Sequence, residues 1–404
     1  MININKKNSK KINKKNSKKI NKINKKNSKK INKKNSKKIS KKKYKLSRTI
    51  TTDFNYNYDY NKVKNDKNMI IKNIEYPYLK YFTSEQHIIN NFNNLIKFNC
   101  KFVNENYKFT TLNINEIKFK NPKNNKDLPF LIIDEPSEYN TIEVISDYFN
   151  EVCRVRCKFA SAPGSQLYFF KNNFDKVIDY LQNKNLKITL ENMRETIWHI
   201  GFKECSTFKP KLEKFFIEFF NARKILDLSS GWGDRLIGAM ASDIDCYHGF
   251  DPNPCLHPNY KNIIKTFKNY QVNKNAVYVI KKQPFENAIL KSNYYDLMMT
   301  SPPYFTMEIY DDNPSTSKTQ SISNIHSEKE WFDKFLLVWI DKIYNALRKD
   351  GIIALNINQF RNQNYVYWLL NDMNKNKNWK YLGIISHSAI SKKNPQPTFI
   401  WTKI

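Results

Sequence analysis

The sequence predicts an α/β fold, a doubly wound parallel sheet over residues 221–404, and three observations predict it. Ile225 to Leu228 is a short apolar run that enters a glycine turn, Gly231-Trp232-Gly233, and then a helical stretch from Asp234 to Ala241. Cys246 to Phe250 is a second apolar run, closed by Asp251, where a ribose-binding carboxylate belongs at about 20 residues past such a turn. Tyr295 to Thr300 is a third, running straight into Ser301-Pro302-Pro303-Tyr304. A strand, a glycine turn and a helix N-terminus together present backbone N–H groups to a ligand. The chain has only 8 glycines in 404 residues, yet Gly231, Gly233 and Gly238 fall in this one segment. So sparing a use of glycine points to positions where the backbone needs a positive φ or a close approach.

The remaining elements follow in order. Pro258 to Tyr270 reads as a helix after the Asp251-Pro-Asn-Pro254 turn, and Ala276 to Lys281 as a strand ending near Gln283-Pro284-Phe285-Glu286. Thr306 to Ile325 is polar and long, the kind of loop that is usually functional or mobile. Ser327-Glu-Lys-Glu330 is a capping box, opening a helix that turns Trp331, Phe335, Val338 and Trp339 inward and stops at Lys349-Asp-Gly351. Ile352 to Ile357 is a strand, Tyr365 to Met373 a helix, and Tyr381 to Ser386 with Pro397 to Thr402 a terminal strand pair.

Ahead of this domain the pattern is weaker. Residues 46–135 read as a mixed accessory module, Asn-, Lys- and aromatic-rich, with some strands suggested by alternation from Phe102 to Phe119. Order returns at Leu128 to Ile133. Residues 136–220 read as a helical segment, with helices at Ile142 to Phe159, Asn173 to Gln182, Thr189 to Ile200 and Lys211 to Phe220. Arg154, Arg156 and Lys158 alternate with apolar residues, and a solvated cationic face is the simplest reading. Phe174, Val177, Ile178 and Leu181 share one helical face.

The formal charge of +32 is uneven. Residues 1–45 hold 21 lysines and no acid, so the rest of the chain still carries +11. Ile-Asn-Lys-Lys-Asn-Ser-Lys-Lys occurs four times between residues 4 and 38. One isoleucine per repeat buries too little apolar surface to offset chain entropy, so the tail is expected to be disordered. It suits a nucleic-acid arm or a nuclear-targeting patch, and equally a slipped repeat with no selected role. A basic body behind a basic tail favours a polyanionic partner, most simply nucleic acid. The six cysteines lack metal-binding spacing and read as reduced thiols of an intracellular protein, with no metal site. No apolar run is long enough to span a membrane, and the N-terminus lacks the apolar core of a secretory signal. Oligomeric state is not legible.

Residues Lys224 to Phe305 resemble the Rossmann-like S-adenosylmethionine-dependent methyltransferases, above all those that methylate an exocyclic amine of a nucleic-acid base. The Asp227-to-Gly233 motif carries this with moderate specificity, and Ser301-Pro302-Pro303-Tyr304 behind a hydrophobic strand carries it strongly. The resemblance implies S-adenosylmethionine as cofactor. It implies that Asp227, Ser229, Gly231, Trp232 and Gly233 meet the methionine end, that Asp251 takes the ribose hydroxyls, and that Pro284 and Phe285 lie near the adenine. Thr207 and Phe208 occupy the loop that helps hold the cofactor in this class, although a helix cap before Pro210 explains them equally. Trp232 either stacks on a ligand or packs. Ser301, Pro302, Pro303 and Tyr304 would form the catalytic segment. Asp234 and Arg235 are expected in salt links, and His248 and His257 in structural roles. A serine heading the Pro-Pro-Tyr motif resembles cytosine-N4 enzymes more than adenine-N6 enzymes, so DNA is the expected substrate, with cytosine favoured. The alternatives are an RNA base methyltransferase, a protein-glutamine methyltransferase, and an inactive nucleic-acid-binding protein of the same fold.

Overall fold

Ile225 and Leu226 are neighbours on one strand and face opposite ways, and that alternation organises the structure. Ile225 is buried with Leu297, Met299, Ile352 and Ala354 in one apolar cluster. Leu226 is buried with Met298, Ile353 and Leu355 in another. A sheet covered on both faces has no solvated side, which is why its central strands are near-continuous hydrophobic runs.

The computed structural model describes residues 76–99, 131–134, 137–159, 161–303, 305, 308–310, 325–357, 364–388 and 396–404. The expectations for the 1–45 tail, for Phe102 to Phe119, for Tyr304 and for most of the 306–325 loop lie outside the described residues. The described strands are β1 (Leu131–Asp134), β2 (Lys158–Phe159), β3 (Lys224–Asp227), β4 (Cys246–Phe250), β5 (Val277–Lys281), β6 (Tyr295–Thr300), β7 (Glu308–Ile309), β8 (Leu347–Asn356), β9 (Trp379–Ser388) and β10 (Gln396–Lys403). Eight form one sheet in the order β1-β9-β10-β8-β6-β3-β4-β5, and β2 pairs with β7 apart from it. Within the sheet β10 runs antiparallel to both its neighbours, and the other pairings are parallel.

Helices cover both faces. The first layer takes apolar residues from α1 (Glu85–Lys97) and α2 (Ile145–Arg154). The helices α3 (Gln166–Asn172), α4 (Phe174–Asn183) and α5 (Leu190–Ile200) instead share a separate cluster, in which Phe174, Val177, Ile178 and Leu181 are buried as their spacing predicts. The first layer continues with α6 (Pro210–Phe219), α7 (Asp234–Met240) and α8 (His257–Phe267). The second layer is α9 (Glu328–Trp331), α10 (Leu337–Ala346) and α11 (Tyr365–Lys375). Proline at the first position of α6 fits a site whose N–H would lack an intrahelical partner anyway.

Several boundaries differ from the sequence reading, each for a tertiary reason. The helix expected over Ile142 to Phe159 is a 3-10 stretch (Ser137–Val144), then α2, then strand β2. It ends at Arg154, whose side chain is not solvated. Arg154 is 2% exposed and ion-paired with Asp147 and Glu204, while Arg194 reaches Asp147 and Glu151 at 2.9 and 2.6 Å. Its two carboxylate partners, in a network that also pairs Arg194, make this burial tolerable, and sequence spacing does not reveal them. Residues 85–97, inside the expected accessory module, form α1, with Ser84 accepting from the His87 N–H as its cap. Ser327 caps α9 through the Glu330 N–H, but a π-helical turn (Phe332–Leu336) separates α9 from α10, and Val338 is only half-buried. The helix stops at Ala346, and β8 begins five residues earlier than expected because Leu347 already pairs with Tyr295.

The reduced-thiol expectation is overturned for four cysteines. Cys153 is bonded to Cys255 and Cys157 to Cys205, with Cα–Cα separations of 6.1 and 5.9 Å. Those distances fall in the range a disulfide spans. The partners are 102 and 48 residues apart, so local spacing gave no sign of them. Cys246 is free and buried. Among the described residues no helix is long and apolar enough to cross a membrane, and no three His, Cys, Asp or Glu are grouped to hold a metal ion.

Candidate active site

β3 delivers Asp227 to the C-terminal edge of the sheet, where it is fully buried. Its Oδ2 accepts from Arg235 Nε at 2.9 Å and from the Tyr247 hydroxyl. Its Oδ1 accepts from the Ser229 N–H and from Thr300 Oγ1, each at 3.2 Å. Arg235 also donates to the Ser229 carbonyl, and its guanidinium lies 5.1 Å from the Phe208 ring centroid. A carboxylate satisfied by its own fold is a frame for the turn.

The turn itself needs its glycines. Gly231 has φ +55 and Gly233 φ +90, a region that L side chains rarely adopt. A Cβ at Gly233 would approach Ile263 Cδ1 to 2.9 Å, whereas one at Gly231 would meet nothing nearer than 3.7 Å. Gly233 is therefore tightly packed, whereas a Cβ at Gly231 would make only ordinary contact with the Ser229 carbonyl and Arg235, so there it is the backbone conformation that favours glycine. Two residues of α2 hold the turn from outside: Asn150 Nδ2 donates to the Trp232 carbonyl and Ser146 Oγ to Asp234 Oδ1, both at 2.6 Å. Burial pushes the Asp234 carboxyl up to about 7, against the lowering effect of Ser146. Sequence reasoning missed Ser146 and Asn150, and no local signal marked them.

β4 ends at Asp251, whose Oδ2 accepts from the Gly231 N–H at 2.8 Å and whose Oδ1 accepts from the Asn253 N–H at 2.9 Å. Burial raises this carboxyl to about 6, with the two backbone hydrogen bonds opposing the rise. His257 Nε2 lies 2.8 Å from the Asp251 carbonyl, and His248 Nδ1 2.7 Å from the Tyr295 hydroxyl, both structural contacts.

β6 runs on to Ser301, Pro302 and Pro303, the two prolines buried. Ser229 joins this segment to the glycine turn. Its Oγ lies 2.9 Å from Thr300 Oγ1 and donates to the Ser301 carbonyl at 2.9 Å. Beyond it, Glu308 and Tyr310 return over the site, Tyr310 with its ring 6.1 Å from Trp232.

The structure thus gathers Asp227, Ser229, Gly231, Gly233, Asp251, Phe208 and Ser301 at one sheet edge. Trp232 is buried in the first apolar layer. Phe285 is buried in the second, edge-on to Phe250 and Trp339, with Pro284 preceding it as the cap of a short 3-10 turn. Thr207 is half-buried.

The chain carries a Rossmann-like, doubly wound α/β fold: a largely parallel sheet whose order places β6 beside β3, with the antiparallel β10 inserted near the far edge. Among solved structures it is similar to a tRNA (m1A58) methyltransferase from Aquifex aeolicus, at 11% identity and TM-score 0.32, over 49% of this chain and 70% of that one. It is also similar to a SAM-dependent O-methyltransferase from Thermotoga maritima, at 12% identity and TM-score 0.32, over 52% of this chain and 69% of that one. No family model matches the chain, and no curated protein matches it in sequence.

Proposed function

We propose that this protein is an S-adenosylmethionine-dependent methyltransferase that acts on an exocyclic amine of a DNA base, cytosine N4 in preference to adenine N6. The observation that carries the reading is the Ser229 bridge, which ties the acid-and-glycine turn to the carbonyl of Ser301 at 2.9 Å. The bridge fixes the turn and the segment after β6 relative to one another, and direct group transfer between two bound molecules depends on such fixed alignment.

The residues fit the cofactor. Each Asp251 oxygen holds one backbone amide and retains acceptor capacity for a ribose diol. Gly231, at φ +55, keeps the turn in the conformation that offers its N–H to Asp251. Bound there, S-adenosylmethionine supplies an electrophilic methyl group on a sulfonium. The chain's own work is to orient and to hold protons. Ser301 and Pro302 carbonyls accept the hydrogens of the planar amine and favour its pyramidal form, and Pro303 fixes their direction. Tyr304 offers a face for a base drawn out of its stack. Methyl transfer to the amine would leave S-adenosylhomocysteine and one proton, which the amine would release to solvent. Residues 221–404 are the catalytic region in this reading, and the lysine tail neutralises additional phosphates.

The test is incubation with labelled S-adenosylmethionine and separate DNA, RNA and protein pools, followed by identification of the methylated product. N4-methylcytosine in DNA is the expected result. N6-methyladenine alone overturns the base assignment, and label confined to RNA or to protein glutamine overturns the substrate class. Binding without transfer to any pool favours an inactive nucleic-acid-binding protein. Deleting residues 1–45 should make the slope of log K against log salt shallower, by about 0.9 for each duplex phosphate that the tail had neutralised.

A further inference from the structure

Glu308 lies seven residues beyond Ser301 and is only 3% exposed, yet the reaction proposed above gives it no role. One carboxylate oxygen accepts from both the N–H and the Oγ of Ser206, at 3.0 and 2.9 Å. The other accepts from the Tyr310 hydroxyl at 2.8 Å. The backbone is held as well, since Glu308 and Ile309 pair antiparallel with Phe159 and Lys158. Ser206 in turn sits between Cys205, which is bonded to Cys157 next to that same β2, and Thr207-Phe208. Phe208 packs on Arg235, which holds Asp227 and the Ser229 carbonyl, and Ser229 holds Ser301. The contacts run as one chain from Glu308 through Ser206, Phe208, Arg235 and Ser229 to Ser301, so they touch both halves of the site.

We infer that Glu308 is a positioning residue that couples cofactor binding to nucleic-acid binding by clasping the Ser206–Phe208 loop to the segment after Ser301. This inference rests on the function proposed above. The physical basis is that a carboxylate accepts and cannot donate, and all three donors come from the two segments it joins. Separating the segments strands a buried charge, so they shift together. A ligand that orders one loop orders the other, which is coupling between sites.

The experiment measures the affinity of a fluorescein-labelled mixed-sequence DNA duplex with and without saturating S-adenosylhomocysteine. In the wild type the cofactor product should tighten DNA binding by about 5-fold or more, the low end of ordinary coupling between sites. Glu308→Ala should bring that ratio to within about 2-fold of unity while each ligand still binds alone. Glu308→Gln should retain most of it, because the amide oxygen still accepts from Ser206 and its N–H donates to Tyr310. Amide exchange at Ser206 should quicken in Glu308→Ala and not in Glu308→Gln. If Glu308→Ala does not fold, Ser206→Ala and Tyr310→Phe each remove part of the clasp and should lower the ratio. A ratio unchanged in the folded variants overturns the coupling, as does a wild-type ratio of one. S-adenosylhomocysteine failing to bind the wild type at all overturns the proposed function and the coupling together.

Discussion

The turn after β3 and the segment after β6 meet through a single serine, but they are built in different ways. Asp227 draws its donors from Ser229, Arg235 and Tyr247, all within 20 residues, with Thr300 as the long-range exception. Glu308 draws two of its three from Ser206, 102 residues earlier. The first carboxylate can be satisfied as soon as two adjacent strands pair. The second is satisfied only when the N-terminal helical half has docked. One half of the site is therefore a local frame, and the other is assembled by the fold as a whole.

That contrast can be broken most sharply at Asp227. Asp227→Ala leaves the Arg235 guanidinium buried without its counter-charge, and stability should fall by about 3–5 kcal/mol in denaturant unfolding. A loss below about 1 kcal/mol would mean the turn is not anchored by charge. Next in size are the two disulfides, of which Cys153–Cys255 links the helical half to the region after β4 and Cys157–Cys205 braces the helical half itself. Reducing the two disulfides, or replacing Cys153 and Cys255 by serine, should lower stability by about 2–4 kcal/mol. Free thiols found by mass spectrometry of unreduced protein would contradict the pairing.

Asp251→Ala should spare the fold and weaken S-adenosylmethionine binding by about 1.5–3 kcal/mol in calorimetry. A pH dependence sharpens this. Burial raises the Asp251 carboxyl to about 6, so it is ionised above that pH and takes up a proton as the pH falls through it. Protonation removes acceptor capacity, so affinity should fall as the solution is made more acidic than about 6. Asp251→Asn should flatten the dependence. A profile equally steep in the Asn variant assigns the titration to another group. The smallest effect is expected at Ser229→Ala, about 0.5–1.5 kcal/mol for removal of a hydroxyl bridge. It should appear in acceptor KM rather than in cofactor affinity; the reverse would place Ser229 on the cofactor alone.

What was legible in the sequence follows the same division. Ile225, Leu226, the two turn glycines and Asp251 are close together in sequence, and short apolar runs, glycine scarcity and the spacing of Asp251 behind the turn expose them. The terminal pair β9 and β10 was legible for the same reason. Helix α1 was overlooked although Ile88, Ile89, Phe92, Leu95 and Ile96 recur at helical spacing behind the Ser84 cap, because six of its thirteen residues are Asn, Gln or Lys and the stretch blends into an Asn- and Lys-rich background. Ser146, Asn150 and Glu308 were invisible as well. Each is an ordinary polar residue whose meaning comes from a partner 82 to 102 residues away. Arg154 looked like a surface cation until Asp147 and Glu204 surrounded it.

The order of strands has a consequence of its own. β3 and β6 are neighbours, yet the chain leaves them for opposite sides of the sheet. From β3 it turns to α7, in the first apolar layer, and from β6 it goes on to α9 and α10, in the second. Two connections that diverge from adjacent strands leave a crevice between them, the switch point at which open α/β sheets take their ligands. The crevice is thus a product of connectivity, and it precedes any choice of side chain at its rim. Substitutions at Ser229, Asp251 or Glu308 alter the rim, while a crevice set by connectivity persists for as long as the two connections diverge there.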